Sequence, residues 1–114
     1  MEIRANPVPF SGQPITDVAS CSSSPNTWFY EQVFTEIGGS TVHFTNRTDE
    51  FDGRITNNNG ATDITVPAKG TITIRSRWCS ASASSHVAQS TFNGTDAAGN
   101  AITATGGQVR LNGK

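Results

Sequence analysis

Apolar and polar residues alternate with a period of two in several short runs of this chain, the spacing of strands buried on one face. In residues 40–46, Val42 and Phe44 share one face while Thr41, His43 and Thr45 share the other. In residues 61–67, Ile64 and Val66 point inward; in residues 71–78, Ile72 and Ile74 do so and leave Thr73, Arg75 and Arg77 to solvent. Residues 27–37 are aromatic and β-branched, which suits a strand. Residues 15–21, 86–95, 101–105 and 108–111 complete the set. The pattern predicts about seven short strands at the spacing of a sandwich. No helical periodicity and no repeat interrupts it.

Turn residues punctuate these runs. Gly38-Gly39 predicts a β-hairpin between the second and third strands. Residues 47–60 predict a polar loop with turn signals at Asp52-Gly53 and Asn59-Gly60. Pro67 to Gly70 has the Pro-x-x-Gly form of a turn, and residues 96–100 predict a hairpin. Gly106-Gly107 suggests a bulge or bend in the last strand. Residues 1–13, with Pro7 and Pro9, predict a linker or edge segment, because proline cannot donate to a central ladder; residues 14–114 form the sandwich domain.

Size and composition agree with one such domain. The chain has 114 residues, 34% of them hydrophobic and only 15% charged, the balance being largely Ser, Thr, Asn and Gly. A net charge of -1 offers no electrostatic footprint for nucleic acid. No apolar run approaches the ~20 residues of a membrane helix.

Cys21 and Cys79 are the only cysteines, far apart in a Ser- and Thr-rich chain. That usage predicts a disulfide and a secreted, periplasmic or cell-surface setting. Closing so long a loop stabilises by about 4 kcal/mol in the chain-entropy account. The first residues hold no hydrophobic signal region, so the expectation is that Met1 stands where a signal peptide or upstream domain once preceded the domain.

Thr91-Phe92-Asn93-Gly94-Thr95-Asp96-Ala97-Ala98-Gly99-Asn100 resembles the last hairpin of bacterial surface immunoglobulin-like and fibronectin-III-like modules, with their T-D-x-x-G-N turn. The resemblance implies an immunoglobulin-like antiparallel β-sandwich, serving as an accessory module of a larger secreted protein. The cysteine spacing is similar to that of immunoglobulin domains. Trp28 stands too soon after Cys21 for their core tryptophan, however, and Arg77 occupies the place of the tyrosine corner.

Chemistry-bearing residues are few. His43 and His86 are the only histidines and no G-x-S-x-G elbow exists, so no enzyme is expected. Glu31, Glu36 and Glu50 offer carboxylates at separations the sequence does not determine. His43, Cys79, His86 and Gln89 resemble, in order, the copper ligands of cupredoxins with a Gln axial ligand, although six residues part Cys79 from His86. Asp49, Glu50 and Asp52 form an acidic run of the kind that either binds calcium or is merely solvated. Asn46-Arg47-Thr48 and Asn93-Gly94-Thr95 have the form of glycosylation sequons.

Trp28, Phe29 and Tyr30 are consecutive, so the strand carries aromatics on both faces. Phe29 shares a parity with Val33 and Ile37; Trp28 and Tyr30 share one with Phe34. Two arrangements follow: rings in the core, or an exposed platform of Trp28 and Tyr30 on which a sugar stacks, with Asp49, Asp52 and Asn57 as hydroxyl partners. The expected function is a non-catalytic accessory, adhesion or spacer module without a cofactor, its partner a glycan or another surface protein. A carbohydrate-binding module with exposed aromatics and a cupredoxin-like copper site are the alternatives.

Overall fold

A computed structural model of the chain describes residues 1–8, 14, 26–80 and 84–113. Eight strands form among them: β1 (Glu2–Val8), β2 (Asn26–Thr35), β3 (Val42–Phe51), β4 (Arg54–Val66), β5 (Thr71–Ser80), β6 (His86–Asp96), β7 (Ala101–Thr105) and β8 (Val109–Leu111). The strand expected over 15–21, and Cys21 with it, lies outside the described residues. All pairing is antiparallel, in one sheet of order β1-β2-β5 and a second of order β4-β3-β6-β7. The architecture is an all-β sandwich. No helix among the described residues is long and apolar enough to cross a membrane.

The segment that opens the chain is the edge strand β1, where Pro7 costs no ladder bond in a sheet centre. At the other end, β7 and β8 follow each other along the same side of β6. They are two halves of one strand, bent at Gly106-Gly107 by one extra residue. Gly106 N–H donates to Ser90 O at 2.9 Å, and Gly107 N–H reaches Ile3 O of the facing sheet at 3.3 Å. The bend thereby ties the sheets together along the β1 side.

Two expected features differ in the structure. Gly38-Gly39 is no hairpin, since β2 and β3 belong to different sheets. It is an arch, held by the Glu36 carboxylate, which accepts the backbone N–H groups of Gly38 (2.7 Å), Gly39 (2.6 Å), Ser40 (3.1 Å) and Lys69 (3.1 Å). These bonds, that from Lys69 foremost, hold the Glu36 carboxyl below the usual carboxylate range. The second arch, Pro67 to Gly70, is the expected turn: Gly70 N–H donates to Pro67 O, with Lys69 in the left-handed region at φ 58°.

Residues 47–60 are likewise no loop. β3 runs on to Phe51, turns at Asp52-Gly53 with φ of 53° and 79°, and returns as β4. Positive φ at both turn residues matches the twist of a two-residue hairpin. Residues 54–59 of β4 are exposed on both faces, so no hydrophobic alternation marks them as strand. Asn59-Gly60 lies inside the strand as a bulge, with Asn59 at φ 55°.

The core divides in two. Ile3, Phe34, Val42, Phe44, Ile64, Val66, Phe92 and Ala104 form one cluster, in which the rings of Phe34 and Phe92 meet edge-on with centroids 4.9 Å apart. Trp28, Tyr30, Phe51, Ala88, Val109 and Leu111 form the other. A band of polar residues on β2, β3, β5 and β6 lies between them: Gln32, Arg47, Asp49, Ser76 and Ser90.

A polar cleft at the open edge as the candidate functional site

A bulge in β3 creates this band. Val42 and Phe44 face the core, and simple alternation would then send Asn46, Thr48 and Glu50 inward. Between Phe44 and Asn46 the register against β6 slips by one residue at Thr45. Every later side chain therefore changes face. Arg47, Asp49 and Phe51 turn inward, opposite Phe92, Ser90 and Ala88. Gly94 makes the slip feasible. It pairs with Phe44, and a Cβ there would overlap the His43 carbonyl oxygen and lie 2.6 Å from the Phe44 Cα.

The inward charges are paired. Arg47 Nε and Nη2 donate to Asp49 Oδ1 at 3.1 and 2.8 Å, and Ser90 Oγ donates to the same oxygen at 2.5 Å. Asn57 Nδ2 reaches Asp49 Oδ2 at 3.2 Å. Burial pushes the Asp49 carboxyl up, but the bonds from Arg47, Ser90 and Asn57 outweigh it and hold it below the usual range. The Arg47 guanidinium also lies over the Phe92 ring, 5.2 Å from its centroid. Asn57 lies back against Gly60: a Cβ at Gly60 would fall 2.9 Å from the Asn57 Cγ, and the amide would have to shift to make room.

On the side away from β1 the sandwich is open. There Tyr30, Arg47, Asp49, Phe51, Asn57, Arg75, Ser76 and Arg77 enclose a cleft of about 290 Å³. Tyr30 is raised above its ordinary pKa by burial and then by the Asp49 charge, so its phenol stays protonated at neutral pH. Ser76 Oγ donates to Gln32 Oε1 at 3.2 Å. The cleft thus joins a buried ion pair to a rim of exposed arginines on β5.

The residues singled out in the sequence divide. Tyr30, Asp49 and Asn57 line this one cleft. Trp28 and Asp52 lie elsewhere. Trp28 is 1% exposed and Tyr30 2%, so the exposed aromatic platform is corrected: both side chains are core. The Trp28 indole N–H donates to Asn112 O at 3.0 Å, and its ring meets His86 edge-on. Phe29 is the ring on the outer face, half-buried beneath the Arg75 guanidinium. Asp52 closes the β3–β4 turn onto β6, pairing with His86 Nδ1 at 2.6 Å and accepting Val87 N–H at 2.9 Å. Sequence reasoning missed Arg47, Ser76 and Ser90; the one signal for Arg47 was a charge followed two residues on by Asp49, which without the bulge reads as solvated surface.

The copper ligand set is not assembled, which corrects that alternative. His43 pairs opposite Thr95 and bonds Asp63 at 2.7 Å, whereas His86 opens β6 nine residues earlier, roughly 30 Å away along the strand. Gln89 is engaged with Gly106 O. Asp49, Glu50 and Asp52 do not converge either, since Asp49 faces the interior, Glu50 the opposite face and Asp52 His86. Among the described residues no group of three or more His, Cys, Asp or Glu side chains is placed to hold a metal ion. The sequon residues Asn46 and Asn93 are cross-strand neighbours, and Asn93 Oδ1 accepts the Thr103 hydroxyl at 2.7 Å.

Comparison with known proteins adds the fold alone. No family model and no curated protein matches the chain. Among solved structures, the Northeast Structural Genomics Consortium target SoR45 is similar with a TM-score of 0.69 at 14% identity, over 98% of this chain and 84% of that one. A protein from Bordetella pertussis provisionally named ApaA is similar with a TM-score of 0.62 at 12% identity, over 97% of this chain and 89% of that one. At these identities the likeness is one of backbone architecture.

Proposed function

We propose that this domain is a non-catalytic, immunoglobulin-like accessory or adhesion module of a secreted or cell-surface protein, and that the cleft between β5 and the β3–β4 ribbon is its ligand site. The cleft carries the reading: it gathers Tyr30, Asn57, Ser76 and the Arg47–Asp49 pair at an open sandwich edge. The Asp49 carboxylate is engaged on both oxygens, which leaves no base beside a nucleophile there and favours binding over catalysis. The strand order favours the immunoglobulin-like type. β1, β2 and β5 correspond to strands A, B and E, and the fourth strand sits beside β3 on the other sheet, as in the fibronectin-III-like variants.

A Cys21–Cys79 disulfide belongs to the same reading. Its support is that these are the only cysteines and that the described residues include no free one. Alkylation of the native protein followed by non-reducing peptide mapping is expected to give one Cys21–Cys79 linked peptide and no alkylated thiol. Two alkylated cysteines would overturn both the bond and the extracytoplasmic setting.

The ligand site is tested by plugging it. Asn57 is exposed on the edge strand β4, so Asn57→Trp adds bulk over the cleft without entering the core. On an array of glycans and surface-protein peptides, the wild type is expected to bind saturably and Asn57→Trp to lose that binding while melting within a few degrees of wild type. Binding that survives the plug would place the site elsewhere.

A further inference from the structure

Among the described residues each sheet has two edges, β1 and β5 in one, β4 and the β7–β8 run in the other. Unpaired edges invite further strands, and proteins blunt them. β1 carries Pro7. β4 is broken by three register shifts against β3 and holds Asn59 at φ 55°. β7 is five residues long and ends at the Gly106-Gly107 bend. β5 carries none of these devices. Its ten residues hold one unbroken register against β2, contain no proline and open on the β-branched run Thr71-Ile72-Thr73-Ile74.

The turn before β5 fixes which backbone groups face outward. Glu36 N–H donates to Gly70 O at 3.0 Å, so Glu36 and Gly70 are a hydrogen-bonded pair. Such pairs alternate along an antiparallel ladder. Ile72, Ile74 and Ser76 therefore bond to β2, opposite Phe34, Gln32 and Tyr30, while Thr71, Thr73 and Arg75 turn their N–H and C=O groups to the open edge. No strand among the described residues pairs with that edge.

The sheets also differ in width. β1 lies over the β7–β8 bend, where Gly107 N–H reaches Ile3 O. β2 lies over β6, with Phe34 on Phe92 and Trp28 on His86. β5 lies over β3, with Trp78 stacked on Phe51 at 3.9 Å and Ser76 beside Arg47. β4 has no strand over it among the described residues. Beside β5 and above β4 there is thus a place one strand wide, about 4.8 Å, and the cleft of about 290 Å³ is part of it. Ile72 and Ile74 pack on the first apolar cluster yet are only partly buried. A second folded copy does not fit: antiparallel pairing of β5 with β5 would bring both β4 strands into the same space. A single extended segment does fit.

We infer that the β5 edge takes one extended segment of a partner protein as an added antiparallel strand, with aliphatic side chains beside Ile72 and Ile74 and a polar one beside Ser76, in the cleft. This rests on the cleft being a ligand site and names its ligand: backbone hydrogen bonds supply affinity, and alternate side chains supply selectivity.

Nuclear magnetic resonance of the full chain tests this with the acetylated and amidated heptapeptide Thr-Asn-Thr-Val-Thr-Val-Thr. Antiparallel alignment sets its Asn beside Ser76 and its two Val beside Ile74 and Ile72. In the free protein the Thr73 and Arg75 amides are expected to exchange with solvent faster than those of Ile72 and Ile74. The peptide is expected to shift the Thr71, Thr73 and Arg75 amides saturably and to slow their exchange. Thr73→Pro removes one outward N–H and no bond to β2, so it is expected to weaken binding roughly tenfold, one backbone hydrogen bond, with little change in melting temperature. The same peptide N-methylated at its two central threonines is expected not to bind, a control that leaves the protein unaltered. Equal binding by the N-methylated peptide would overturn the inference, as would outward amides already protected in the free protein. No peptide shift, while array ligands still bind and are lost in Asn57→Trp, would overturn the added strand and leave the cleft standing as a ligand site. Silence from peptide and array alike would overturn both.

Discussion

Replacing Trp28 with alanine is expected to destabilise the domain by about 3–5 kcal/mol, the range for truncating a fully buried aromatic. Trp28 is 1% exposed and joins Tyr30, Phe51, Leu111 and Val109 in the second apolar cluster. Its removal deletes that packing and leaves two further losses. The Asn112 carbonyl forfeits the indole donor at 3.0 Å, and the His86 ring forfeits its edge-on neighbour at 5.0 Å. Among the described residues His86 Nε2 is buried without a hydrogen-bond partner, so none of them offers the site a spare polar contact. Urea unfolding and calorimetry measure the effect, and the melting temperature should fall by more than about 12 °C in a domain of this size. Phe29→Ala is the control. Phe29 is the adjacent residue on the half-buried outer face, so its truncation should cost clearly less. Equal losses at the two positions would mean that the assignment of faces on β2 is wrong.

Asp49→Ala is expected to cost about 3 kcal/mol, because breaking a buried pair leaves a desolvated charge without its partner. The Arg47 and Asp49 side chains keep 18% and 13% of their surface exposed, so water entering the cleft holds the loss to the low end of that range. The stranded Arg47 would be left with the neutral Ser76 and Ser90 hydroxyls and the Phe92 ring. The double change Arg47→Met with Asp49→Leu should recover most of the stability, since replacing both ions removes both desolvation costs. A double-mutant cycle measures this coupling; additive losses would show that the pair is not an energetic unit. The pair also sets an acid limit. The folded-state Asp49 carboxyl lies below its unfolded value, so its contribution is complete above the unfolded pKa and is lost as pH falls through the folded one. Asp52, held down first by His86, and Asp96, held down first by the Asn100 N–H, act with the same sign. Wild-type stability should therefore decline below about pH 4. Asp49→Asn should flatten part of that decline, and an unchanged profile would remove Asp49 from the linkage.

The sheet faces that touch one simple core were legible in the sequence. Val42, Phe44, Ile64 and Val66 alternate because one side of each segment is buried and the other is not, and all four are core. Ile72 and Ile74 pack against that cluster for the same reason. The turns at Asp52-Gly53 and Asp96–Asn100 were legible because they need residues that tolerate tight backbone geometry. Gly106-Gly107 marked the bend between β7 and β8.

Three decisions belonged to the tertiary structure. On β2 both faces carry aromatic or aliphatic residues, so period two cannot choose between them; packing against β3 and β6 turned Trp28, Tyr30 and Phe34 inward. At Gly38-Gly39 the local signal suits any tight reversal. The return of β3 to the opposite sheet, with Glu36 gathering the arch's N–H groups, made it a crossing. The site itself depends on the third. One residue of slip at Thr45, permitted by the absent side chain of Gly94 on another strand, reverses the parity of everything that follows on β3. Without it Arg47 and Asp49 would be ordinary surface charges; with it they form an ion pair between two apolar clusters. A bulge is set by what lies across the ladder, and residue 94 is fifty positions from residue 44, which is why alternation read along one strand could not reveal the cleft.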